Sequence, residues 1–160
     1  MQGFILSFEV EGDAEVMRGF SRFADNVKDL SEPFREIAAD FYKGEERQFE
    51  TEGSYGAGGW QALAPATILQ KERAGYPLDI LVRSGELKKS LTEEGGANIK
   101  EINPLVMRLG TRVPYAIYHQ SNKPRRKLPR RPVIMLPEEQ KTRWTKILHK
   151  WLVQQAKEAF

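Results

Sequence analysis

Apolar and polar residues alternate at the start of the chain, with Phe4, Leu6, Phe8 and Val10 on one side and Ile5, Ser7, Glu9 and Glu11 on the other. A period of two predicts a strand with one buried face, ended by Gly12 and Asp13. The period then changes. Val16, Phe20, Phe23, Val27 and Leu30 follow at helical steps and share one stripe, while Arg18, Arg22, Asp25 and Lys28 lie off it. Asp13 is the expected cap of this helix. Ser31, Glu32 and Pro33 break and restart it, with Ser31 as N-cap and Pro33 in the first turn. Phe34, Ile37, Ala38, Phe41 and Tyr42 form the next stripe, and a polar run over 43–52 extends it to Gly53. So short a turn predicts that the two helices fold back as an antiparallel pair.

Four glycines among residues 53–59 predict a flexible loop, and no Gly-Lys-Ser/Thr ending supports a phosphate-binding reading. Trp60 is expected to anchor that loop to the core, and Pro65 to open a short helix through Ile68, Leu69 and Lys71. An apolar run over 78–82 precedes Ser84, the expected cap of a helix through Glu86, Leu87, Lys88 and Leu91. Residues 99–102 and 105–109 read as a hairpin, with Leu105, Met107 and Leu109 on one face. Residues 133–136 look like one more strand. Pro137 then opens a helix whose Trp144, Ile147, Leu148, Trp151 and Leu152 form the clearest apolar face in the chain.

These elements predict an α+β fold: an antiparallel sheet packed with two N-terminal helices and a C-terminal amphipathic helix. At 160 residues, 40% hydrophobic and 29% charged, the chain reads as one globular domain over 1–160, with flexible loops near 53–59 and 121–131. The absence of cysteine removes disulfides, thiolate metal sites and cysteine nucleophiles. No signal peptide or membrane-spanning run is legible, so the expected location is the cytoplasm. The net charge of +3 is modest, but Lys123, Arg125, Arg126, Lys127, Arg130 and Arg131 crowd into an acid-free loop. Such a loop can contact a phosphate backbone or an acidic protein partner. It has no aromatic residue for stacking on bases.

Catalytic chemistry finds little support. His119 and His149 are the only histidines and lie in different elements. His119, beside Tyr115 and Tyr118, is a base only in principle, with no serine elbow to accompany it. The pairs Glu45-Glu46, Glu93-Glu94 and Glu138-Glu139 are sequence neighbours, read as a solvated helix face, a turn and a helix start. No enzyme, metal or cofactor is expected.

With these pieces in order, the chain resembles the phage virion-morphogenesis or tail-completion family. Four segments carry the resemblance: Trp60, Leu63, Ala64, Pro65 and Thr67; then Leu81, Ser84, Gly85, Leu87, Ser90 and Leu91; then Gly110, Thr111, Pro114, Tyr115, Ala116, His119 and Gln120; and finally Arg131 and Pro132. They span roughly 60–136. Two places depart from the family pattern: Ser121 to Pro124 and the arginines stand in place of a Gly-Gly-type turn, and Val133 in place of an aromatic. The motif residues read as scaffold. Gly85 and Gly110 permit turns, Pro65, Pro114 and Pro132 set the chain direction, and Tyr115 can pack and hydrogen-bond with His119 one helical turn away. The resemblance implies a structural role in tail completion and head–tail joining at the neck of a tailed phage or prophage. The implied partners are other tail or head-connector proteins and further copies of the same chain, in the host cytoplasm during assembly and in the virion. A nucleic-acid-binding module acting through residues 123–131 is the alternative.

Overall fold

The computed structural model describes residues 14–56, 58–123 and 127–160; the strand expected over 4–10 and the cap expected at Asp13 lie outside them. Helix α1 (Ala14–Asn26) is followed by α2 (Ser31–Glu50), α3 (Pro65–Ala74) and α4 (Glu86–Thr92). The hairpin β1 (Asn98–Ile102) and β2 (Met107–Thr111) comes next, then the short α5 (Ala116–Gln120) and the long α6 (Glu138–Ala159).

Helix α1 does not fold back along α2. Instead α6 runs antiparallel to both in turn: Gln140 meets Gly44, Trp144 Nε1 donates to Asp40 (2.7 Å), Trp151 Nε1 to Glu32 (3.3 Å), and Phe160 meets Gly19. The physical reason is length, since 22 residues make a helix of about 33 Å that can cover the faces of both. Close approach depends on glycine, because a Cβ at Gly44 would come within 2.5 Å of the Gln140 amide. Trp144, Ile147, Leu148 and Trp151 are partly buried along this seam, while Leu152 is exposed. Much of the α1 stripe is left uncovered, with Val16 and Phe20 both exposed.

Helix α2 also starts differently from expectation. Leu30, not Ser31, holds the cap position, and the Asp29 carboxylate accepts the Ser31 N–H (2.8 Å). Leu30 N–H donates to Pro104 (2.8 Å), tying this turn to the tip of the hairpin. The polar run after Tyr42 has a buried side, where Gly44, Glu45 and Gln48 share the core face with Phe41 and Phe49. Glu45 is therefore corrected from a solvated position to a buried one, while Glu46 is exposed.

The strands pair antiparallel, with Ile99 opposite Gly110 and Glu101 opposite Arg108. Their inner face is fastened to the helices: Tyr42 donates to Asn98 (3.0 Å), Asn98 to the Ser90 carbonyl (2.9 Å), and the Ser90 and Thr111 hydroxyls meet at 2.7 Å. Leu105 falls in the turn and is 67% exposed rather than on the buried face. Gly110 lies within β2 rather than at a turn. The core joins Phe41, Phe49, Trp60, Leu87, Leu91 and Val133.

Residues 133–136 are not a strand. The Gln120 side chain occupies their backbone instead, accepting the N–H of Val133 (2.8 Å) and Ile134 (3.0 Å) and donating to the Ile134 carbonyl (2.9 Å). One amide side chain thus satisfies groups that a neighbouring strand would otherwise meet. Pro137 stands at the cap position of α6, one residue before the helix.

Asp40 is the main polar fastening between α2 and α6, bonded by Arg143 Nε (2.9 Å) and Trp144 Nε1. Burial alone would raise its carboxyl, but hydrogen bonds from Arg143, Trp144 and Gln140 outweigh that and hold it below its ordinary 3.8. A depressed pKa contributes stability above the ordinary value and loses it as pH falls through the folded value. Asp40→Asn should therefore cost about 1–2 kcal/mol at pH 7. Thermal unfolding at pH 7 and pH 3 checks this, the gap from the parent narrowing in acid.

Candidate functional site

The segments that carry the resemblance are distant in sequence and meet in one hydrogen-bonded unit. Trp60 is buried, its indole edge-on to Phe49 (5.4 Å between centroids) and its Nε1 donating to the Pro132 carbonyl (2.8 Å). Gln48 reaches the same carbonyl from α2 (3.4 Å). The glycine loop is tied at both ends: Gly53 N–H donates to Gln48, Gly59 N–H to Gly53 and Trp60 N–H to Glu52. Gly53, at φ +86°, leaves the room that the Trp60 ring needs.

Arg131 belongs to this unit and not to the exposed basic group. Its guanidinium is buried and donates from Nε to Gln61 (2.8 Å) and from Nη2 to Ala62 (3.0 Å), while its N–H donates to the His119 carbonyl (3.1 Å). A guanidinium holding two backbone carbonyls is committed to structure. Lys123, Lys127 and Arg130 remain exposed, and Arg125 and Arg126 lie outside the described residues.

The outward product of this unit is a cleft of about 580 Å³. Leu63 comes from the tryptophan segment, Gly85 and Leu87 from the second motif, and Tyr115 and His119 from the third. Tyr76, Leu81, Val82, Arg83 and Glu86 also line it, together with Lys71 and Ser84. Gly85 takes the cap of α4 at φ +83°, and the Ser84 hydroxyl accepts the Glu86 N–H (3.4 Å), so Ser84 assists the cap from one place earlier. Leu81 adopts φ +61°, an uncommon conformation for a branched side chain.

Sequence reasoning missed the residue that shapes this wall. Lys71 is buried, and its ammonium donates to the carbonyls of Pro77 (2.7 Å), Asp79 (2.8 Å) and Val82 (2.6 Å). Three donors meet three acceptors, which folds the irregular 77–82 segment around one side chain. A lysine on a polar helix of ten residues gives no sequence signal of that use.

Tyr115 and His119 line the same cleft without the hydrogen bond between them that was expected. His119 Nδ1 is buried with no partner. Burial first, and the Arg131 charge second, push the imidazole below its usual range, so it is neutral at pH 7. Burial raises the Tyr115 phenol, with a smaller contribution from Glu86. Pro65 opens α3 as expected, and Pro114 is exposed beside Tyr115. Among the described residues no group of three His, Asp or Glu side chains is placed to hold a metal ion, and no helix is long and apolar enough to cross a membrane.

The profile of the phage virion morphogenesis family matches residues 12–153, extending the motif-bearing region to both α1 and α6. No curated protein and no solved structure matches the chain.

Proposed function

Because the chain belongs to the phage virion morphogenesis family, we propose that it is a non-enzymatic assembly protein that completes tails and joins them to filled heads. It does so through protein–protein contacts, as several copies at the neck, in the host cytoplasm and then in the virion. The observation that carries this reading is the cleft. Residues of three motif segments converge on it, and Leu63, Leu81, Val82 and Leu87 give it an apolar lining beside Arg83, Glu86 and His119, with Tyr76 and Tyr115 both exposed there. A recess of this kind suits an apolar or aromatic side chain of a neighbouring virion protein.

Electron microscopy of lysates from a phage or induced prophage lacking this gene tests the reading. Complementation by the parent chain should give whole particles. Tyr115→Asp, at a side chain 38% exposed, should leave the fold intact and yield separate filled heads and finished tails. Normal particles without the gene would remove the reading. A second reading rests on the exposure of Lys123, Lys127 and Arg130, which are free to meet the phosphates of DNA. It requires salt-dependent DNA binding that their replacement by Ala abolishes.

A further inference from the structure

The turn of the hairpin carries two apolar side chains outward. Leu105 is 67% and Val106 51% exposed, and both follow Pro104. The turn is braced twice, since Asn103 N–H donates to Val106 (2.9 Å) and Leu30 N–H to Pro104 (2.8 Å). A single exposed apolar residue needs no explanation. Two in succession, on a turn fixed to the junction of α1 and α2, make a rigid apolar knob.

Toward the other end of the same hairpin lies a groove of about 530 Å³. Leu91, Leu109, Val113, Ile117, Val133 and Ile134 line it, and Ile117 is 64% exposed. The motif residue Gly110 lies in it as well. It is buried, its φ is not positive, and a Cβ there would meet nothing within 4 Å. Neither the backbone nor packing within the chain requires a glycine at this place, and the space it leaves suits the close approach of another chain.

We propose that the Leu105–Val106 turn of one copy of this chain seats in the Gly110 groove of the next. Aliphatic side chains then meet an aliphatic lining, whereas the cleft at Tyr115 mixes leucine with tyrosine, histidine and charged side chains. The charges match too. Asp29, exposed and next to Leu30, sets a carboxylate beside the knob, and Arg112, exposed and lining the groove, sets a guanidinium beside the socket. Arg112 gives one hydrogen bond to the Asn98 carbonyl (2.8 Å) and meets Glu101 only at 3.9 Å, so it keeps donors for a partner.

A chain cannot fill its own groove, because Val106 precedes Gly110 by four steps of extended strand, roughly 14 Å, farther than either side chain reaches. Knob and socket are different surfaces, so the contact repeats from copy to copy, closing into a ring or running on as a filament. Two seated side chains bury less than the ~800 Å² per partner of a standard interface, so association should rise with concentration. The inference rests on the proposed assembly role only for where the copies gather; the contact itself needs nothing but this chain.

Sedimentation velocity on the full chain tests it with Leu105→Glu and Ile117→Glu, both at exposed side chains. The parent should associate as concentration rises, and each variant should stay monomeric. A mixture of the two should form dimers and nothing larger, because together they keep one intact knob and one intact groove. The chain has no cysteine, so Val106→Cys and Ile117→Cys give a second readout. Mixed and oxidised, they should cross-link at least about tenfold faster than either does with itself, since a disulfide needs Cα atoms within about 7 Å. A parent that stays monomeric at every soluble concentration overturns the proposal, as do association that survives in both glutamate variants and faster cross-linking within either cysteine variant alone. If association fails while loss of the gene still leaves heads and tails unjoined, the contact falls and the joining reading stands. Association of the parent together with normal particles in the absence of the gene does the reverse.

Discussion

Glu45→Gln is expected to stabilise the protein at pH 8 and to flatten its stability between pH 4.5 and 8. The Glu45 side chain is 2% exposed and lies one helical turn from both Phe41 and Phe49, on the same face of α2. Its Oε2 has no hydrogen-bond partner. Burial pushes the carboxyl from 4.5 to about 8. Below pH 4.5 the group is protonated whether the chain is folded or not, and it costs nothing extra. Above that, the unfolded chain gives up the proton while the folded chain must keep it, so stability falls as pH rises, until the folded form also ionises near 8. At ~1.4 kcal/mol per pH unit the whole loss is on the order of 4–5 kcal/mol. A glutamine has no proton to lose and escapes it. Urea denaturation from pH 4 to pH 9 should show the parent weakening across this window and Glu45→Gln holding level. Parallel curves for the two proteins would mean that the carboxylate finds a partner on ionising.

Lys71→Met should destabilise the chain by about 3 kcal/mol, as expected when charged hydrogen bonds to buried acceptors are lost. Methionine keeps the length and apolar stem of the side chain but leaves the carbonyls of Pro77, Asp79 and Val82 without their common donor. The loss should be local first. Leu81, at φ +61°, is held between the carbonyls at 79 and 82, and strain of this kind persists only where its surroundings impose it. Hydrogen exchange should accelerate over 77–82 before the core around Leu87 and Leu91 opens, and thermal unfolding should report the total. Because Leu81 and Val82 wall the cleft, the proposed role in joining implies that the same substitution impairs it under conditions where the protein remains folded. Unchanged exchange over 77–82 would show that the loop holds its shape by packing alone.

Helices α2, α3 and α6 were legible because each advertises itself locally: a stripe at helical steps over Phe34, Ile37 and Phe41, a proline at position 65, and acids after Pro137. The hairpin was legible from its alternation, within a residue or two at each end. The motif segments were also visible, yet their use was not. Arg131 looked like one more cation of a basic loop and is instead a buried clasp on Gln61 and Ala62. Gln120 gave no sign that its amide would replace a strand partner for Val133 and Ile134.

The sequence by itself determined the longer helices and the hairpin, though not the state of residues 133–136, because periodicity records how a face meets an apolar surface, whichever surface that is. Only the tertiary structure decided which surface. The choice of α6 over α2 as the support of α1, the burial of Glu45 within a polar run and the gathering of three carbonyls on Lys71 all depend on residues remote in the chain. A hydrogen bond or a burial penalty is set by what lies within a few ångströms in space, and local pattern carries no record of that.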